Sequence, residues 1–257
     1  LRRIVRYELR INRTEYDFIR DNKFYLRDAL RDAWIKTGKT GVVFPDQSIE
    51  VKAAWRELPD RPDVLARFYH HKDATLIDWD KDHKLVERKA IIGLVGFHVV
   101  CKMPQRQNWI WSTFEHVDNS MSSDGLASPS FCSEKVGRDW LSPGTNQKPS
   151  DWQDRLRPGY PIPTDFTPTE VARNPASDSP PATEQTNRNY QDHKDVRDSV
   201  WKYYRLVRTQ WPNAGTGTPE PRDHVQNIAM ETYFQGDVGL EYGCMECHAS
   251  ANYCQFV

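Results

Sequence analysis

Ile91-Ile92-Gly93-Leu94-Val95-Gly96-Phe97-His98-Val99-Val100 is the stretch on which the fold turns. It is the almost unbroken β-branched and aliphatic part of Leu85 to Lys102. A short apolar run with no polar residue at every second place reads as a central strand covered on both faces. Its two glycines imply that another backbone, or a flat group, comes close at those positions. Asn108 to His116 follows across Pro104 to Gln107 and is rich in aromatics, so it reads as the hairpin partner. A third strand is expected over Ser199 to Trp211, where Trp201, Tyr203, Val207 and Trp211 share one parity. In Ser48 to Trp55, the residues Ile49, Val51, Ala53 and Trp55 alternate with Glu50 and Lys52, the pattern of a half-buried strand, which Pro59 and Pro62 then close. Val64 to Tyr69 fits a short helix or another strand equally well.

Outside the strands, Arg13 to Trp34 carries Tyr16, Ile19, Phe24, Leu26 and Leu30 at three- and four-residue spacings, which predicts a helix with Thr14 and Asp17 as its N-terminal cap. Val225, Ile228, Ala229 and Thr232 predict a second helix over Val225 to Phe234, leading into a Gly-containing loop before Cys244. Between Leu141 and Asp195 lie nine of the seventeen prolines and only eleven apolar residues in 55 positions. Such a segment cannot build a core of its own. It reads either as a surface excursion anchored by Trp152, Tyr160, Phe166 and Tyr190, or as a partly disordered insertion.

Composition excludes two classes of function. The 257 residues hold 35 Lys and Arg against 36 Asp and Glu, a formal charge of −1. Nucleic-acid binding draws its affinity from a concentrated basic surface, and this balance does not supply one. The longest apolar stretch free of Asp, Glu, Lys and Arg is Ala90 to Cys101, twelve residues, whereas a membrane helix needs about 20. The chain is therefore expected to be soluble, with no membrane span. It opens on Leu1-Arg2-Arg3 rather than Met, which points to a mature or trimmed product.

Five cysteines stand at Cys101, Cys132, Cys244, Cys247 and Cys254. Cys244-Met245-Glu246-Cys247-His248 matches the attachment sequence of a c-type haem. On a helical turn two thiols three residues apart face one side and can each reach a vinyl group, while the adjacent His turns its imidazole beneath the iron. A random shuffle of this composition produces the pattern in only roughly a few chains per thousand. A zinc site of Cys244, Cys247, His248 and Cys254 is the main rival, although adjacent Cys247 and His248 would strain tetrahedral chelation. A thioredoxin-like pair lacks the surrounding βαβ pattern. In an oxidising compartment Cys101 with Cys132 is the first choice for a disulfide; Cys101, Cys132 and Cys254 could equally be buried thiols.

Ile49 to Trp55, Gly93 to Val100, Trp109 to Asn119, Tyr204 to Pro212 and Met230-Glu231-Thr232-Tyr233, followed by Cys-Met-Glu-Cys-His, resemble a bacterial group named cytochrome c family proteins. The likeness runs from about Asn12 to Ala251 and omits Ser120 to Asp195. The resemblance implies a secreted protein, periplasmic or extracellular, with one covalent haem c. It carries over Cys244 and Cys247 as anchors and His248 as the proximal iron ligand.

The expected fold is α+β: an antiparallel β-sheet core with flanking helices, the 141–195 excursion, and a C-terminal helical haem-attachment segment, in one domain over residues 1–257. What fills the iron's other axial position separates the functions. A protein ligand there, His116 or His98, makes an electron-transfer cytochrome that meets a redox partner protein. An open position, with Glu115 or His116 moving protons and Lys52 or Arg205 stabilising charge, makes a haem oxidoreductase of peroxidase or oxygenase type acting on a small-molecule oxidant or substrate. A haem-based sensor is a third reading. A porphyrin would use the glycines of Ile91 to Val100 as a flat contact surface.

Overall fold

A computed structural model of the chain describes residues 4–38, 41–80, 82, 84–104, 108–120, 130–131, 171, 180–213, 219–220, 225–232 and 243–244. Among these, seven strands form one antiparallel sheet: β1 (Arg6–Ile11), β2 (Ile49–Glu57), β3 (His70–Trp79), β4 (Leu85–Lys102), β5 (Trp109–His116), β6 (Tyr204–Pro212) and β7 (Pro219–Glu220). The order is β1-β2-β4-β5-β6-β7, with β3 also paired to β4. Five short helices accompany them: α1 (Arg13–Asp21), α2 (Arg27–Lys36), α3 (Pro62–Leu65), α4 (Pro181–Gln191) and α5 (Lys194–Arg197). The α+β class and the antiparallel sheet are as expected.

The 18-residue β4 organises the sheet. Ile92 and Gly93 pair with both β2 and β3, and Phe97 with both β2 and β5. One edge of β4 is therefore given to β2, while the other passes from β3 to β5. The handover falls at Leu94 and Val95, where β2 makes a register shift between Ala54 and Trp55. A bulge leaves backbone groups without ladder partners, and such groups must be satisfied some other way when buried. Here Asn119 donates to the Val95 carbonyl at 2.6 Å, and the Tyr204 hydroxyl donates to the Leu94 carbonyl at 2.9 Å while accepting from the Tyr69 amide at 3.0 Å.

Both faces of β4 are covered, as its sequence predicts. Ala54, Leu58, Val64, Leu65, Phe68, Val95 and Ala229 form one buried cluster, and Ala53, Trp55, Leu94 and Tyr204 the other. Each fully buried large apolar side chain contributes roughly 1.5–3 kcal/mol. The glycines, however, meet side chains and not a backbone or a flat group. A Cβ on Gly93 would lie 2.4 Å from Leu58 Cδ1, and one on Gly96 would lie 2.8 Å from Asn227 Oδ1. Gly93→Ala should consequently destabilise by about 1–3 kcal/mol in a denaturant titration through overpacking. Adding Leu58→Ala should recover part of that loss, and a Gly93→Ala protein as stable as the parent would contradict the close approach.

Four expectations need correction. The predicted helix of residues 13–34 is two helices, broken where Lys23 adopts a left-handed φ of 58°. Its cap is Asn12 rather than Thr14, because the Asn12 carboxamide oxygen accepts from the Glu15 amide and also from the Ile49 amide of β2. The first residues of Ser199 to Trp211 form a 3-10 turn at Val200–Tyr203, and the strand begins only at Tyr204. Residues 225–232 are not a helix; 225–229 are buried against the sheet with a single turn at 228–230. Within 141–195, residues 181–191 are helix α4, fixed to β6 by Asn187, which donates to the Leu206 carbonyl at 2.9 Å and accepts from its amide at 2.7 Å. Residues 141–170 and 172–179, with the anchors Trp152, Tyr160 and Phe166, lie outside the described residues.

β1, β3 and α4 have no counterpart in the sequence reading. β1 does carry the signal, since Tyr7, Leu9 and Ile11 alternate with Arg6, Glu8 and Arg10. In β3 the charged opening His70-His71-Lys72-Asp73 and a register shift between His71 and Ala74 hide the period.

Candidate functional site

Of the attachment sequence the described residues include Cys244, half-buried beside the buried Gly243. Met245, Glu246, Cys247, His248 and Cys254 lie outside them, as does the C-terminal helical segment expected there. Cys101 and Cys244 are not in disulfides. The expected bridge from Cys101 to Cys132 is therefore not formed, and burial raises the thiol pKa of Cys101, which makes it a poor nucleophile.

His98 lies on β4 between Lys52 of β2 and Thr113 of β5. By strand alternation it shares a face with Gly96, the face on which residues 225–232 are seated. Its Nε2 is 2.7 Å from Glu231 Oε1. A carboxylate only accepts, so the ring carries hydrogen on Nε2, and the tautomer with its one hydrogen there has its lone pair on Nδ1. That Nδ1 is buried and has no hydrogen-bond partner among the described residues.

Glu231 is itself held. Its Oε2 accepts from the Asn227 amide at 2.8 Å. Asn227 is fully buried and donates from Nδ2 to the Phe114 carbonyl at 2.6 Å and Thr113 Oγ1 at 3.0 Å, while its Oδ1 accepts from the Ala229 amide at 2.9 Å. Gly96 leaves the space that this carboxamide fills. The result is a chain of fixed contacts from the sheet through Asn227 and Glu231 to the imidazole of His98. Glu231 was named in the sequence only within the Met230 to Tyr233 stretch, and its partner is 133 positions away. No local spacing could reveal it.

His116 is differently placed. It is 1 % exposed, stacked on Phe68 with ring centroids 3.7 Å apart and edge-on to Tyr204 at 4.9 Å. Nε2 donates to the Arg67 carbonyl at 3.0 Å, and Nδ1 accepts from the Asp118 amide at 3.1 Å. Burial lowers its pKa to about 4 and keeps the ring neutral. In this arrangement His116 has no lone pair to offer an iron and no accessible proton to move.

Glu115 is buried as well, in an ion pair with Arg205 at 3.0 Å, and its Oε2 accepts from the Ile228 amide at 3.3 Å. Lys52 sits over the ring of Tyr7, Nζ to centroid 5.2 Å. β2 and β5 flank β4, and Lys52 is in register with His98 and Thr113, two residues along from Glu115, so Lys52 and Glu115 stand roughly 12 Å apart. Glu115, His116, Lys52 and Arg205 thus do not converge on one point.

On the opposite face a cavity of about 310 Å³ is walled by Trp55, Tyr69, His71, Phe97 and Trp201. The carboxylate at its edge, Glu8, is taken up by Trp55 Nε1 at 3.1 Å and Arg10 Nε at 2.7 Å. Among the described residues no three His, Cys, Asp or Glu side chains gather as a metal site, and no helix is long and apolar enough to cross a membrane. Comparison with models of known families, with curated proteins and with solved structures gives no match.

Proposed function

We propose that this protein is a mono-haem c-type cytochrome that passes single electrons to a redox partner. The observation that carries the reading is the Cys244-Met245-Glu246-Cys247-His248 sequence. Cys244 and Cys247 hold the porphyrin through two thioethers, and His248 is its proximal ligand. Bound in this way, the haem supplies a one-electron couple between ferric and ferrous iron.

The described residues fit such a group at one point. A second axial ligand needs an imidazole with a nitrogen that no other group occupies and a fixed orientation, and among the described residues His98 has both. His116 has neither nitrogen to give. An iron with two protein ligands has no open position, which favours electron transfer over the oxidoreductase and sensor readings. A secreted location agrees with c-type attachment.

The test is production alongside a c-haem maturation system, followed by a pyridine haemochrome assay and the mass of the intact chain. One covalent haem per chain is expected. The double variant Cys244→Ser/Cys247→Ser should retain none, and each single variant should be held by one thioether. Zinc in place of iron, or no added tetrapyrrole mass, would overturn the assignment. A ferric spectrum that shifts immediately with cyanide or peroxide would instead support the open-site oxidoreductase.

A further inference from the structure

We propose that Glu231 is a positioning residue that presents Nδ1 of His98 as the distal ligand of the haem iron and strengthens it as a donor. This rests on the haem reading above and names how its second axial position is built.

Three observations point the same way. A buried imidazole nitrogen without a partner is costly, because the interior supplies nothing in place of the water it lost. His98 Nδ1 is such an atom. The opposite nitrogen is tied to a carboxylate at 2.7 Å. Metal-bound imidazoles commonly have this arrangement, the outer carboxylate fixing the tautomer and raising the basicity of the ligating nitrogen. Finally, Glu231 cannot swing freely, since the Asn227 amide holds its other oxygen, and Asn227 is pinned to β5. Purely structural pairing would need the Nε2 contact alone and would leave Nδ1 unexplained. Cys244 follows Glu231 by 13 residues, so one stretch of chain carries both the clamp on His98 and the haem tether.

The chemistry is a donor bond. The Nδ1 lone pair enters an empty orbital on iron, and the hydrogen on Nε2 stays shared with Glu231. The closer that hydrogen lies to the carboxylate, the more anionic the imidazole becomes. An anionic donor favours ferric over ferrous iron and lowers the reduction potential.

The test uses the haem-loaded protein and reads its spectrum and potential rather than turnover. His98→Ala should convert a low-spin ferric haem to high spin, and added imidazole should restore the low-spin spectrum. His98→Gln, which keeps the bulk but lacks the nitrogen, covers the case in which the Ala variant does not fold. Glu231→Gln should stay low-spin, with a more positive potential and about tenfold or greater tightening of cyanide, because a weaker ligand is easier to displace. Covalent haem that remains low-spin in both His98 variants would overturn this proposal and leave the cytochrome reading intact, as would an unchanged or lowered potential in Glu231→Gln. Absence of covalent haem would overturn both.

Discussion

His116→Ala is expected to cost about 3–5 kcal/mol of folding stability while leaving a low-spin haem spectrum unchanged. The ring is 1 % exposed, so truncation opens a cavity beside Phe68 and Tyr204. It also strands the Arg67 carbonyl and the Asp118 amide, each a buried group losing its partner. The ion pair next to it, Arg67 with Asp118 at 2.6 Å, should loosen too, since Asp118 is 1 % exposed and held by the same turn. Urea titration gives the stability, and a switch to high spin in this variant would make His116 the iron ligand after all. The same residue sets an acid limb. Its pKa is near 6.5 in the unfolded chain and about 4 in the fold. Between those values the unfolded chain binds the extra proton, so stability is whole above pH 6.5 and declines as pH drops towards 4, by about 3 kcal/mol at most. His116→Phe, which retains the stack on Phe68, should remove that slope.

Asn227→Ala is the second large effect, with an expected loss of about 3 kcal/mol. The change leaves the Phe114 carbonyl and the Ala229 amide unpaired in a buried place. Residues 225–232 should then open more often, and Glu231 with them, which amide exchange of this segment would register as faster labelling. Gly96 supplies a check on the mechanism. In the parent, Gly96→Ala drives a methyl to within 2.8 Å of a carboxamide that cannot move away without breaking its bonds. In the Asn227→Ala background that obstacle is gone. The double variant should therefore be more stable than the sum of the two single losses predicts, and plain additivity would refute the contact. Because Glu231 holds His98, the Asn227→Ala protein should also shift the haem potential in the direction of Glu231→Gln.

These two residues show where sequence reasoning reaches and where it stops. β4 and β5 were legible because a ten-residue stretch that is apolar or glycine but for His98, and an aromatic run across a proline turn, leave few alternatives. The glycines in β4 were correctly read as places of close approach, yet what approaches, Leu58 and Asn227, comes from 35 and 131 positions away in the chain. Residues 225–232 misled for the opposite reason. Their helical spacing is real, but it yields a single turn: the Ile228 amide goes to the Glu115 carboxylate and the Asn227 amide to Glu231, while the Asn227 side chain ties the segment to Thr113 and Phe114. Tertiary contacts of that strength override local propensity.

The sequence by itself determined the antiparallel sheet around β4, since periodicity is a local property, and it carries the motif on which the proposed haem attachment rests, since two thiols and an imidazole within five positions need no distant partner. It could offer His98 and His116 only as equals, both being histidines in apolar strands. Only the tertiary structure distinguishes the two rings, because which imidazole nitrogen is already bonded depends on partners from other parts of the fold, Glu231 for His98 and Arg67 and Asp118 for His116.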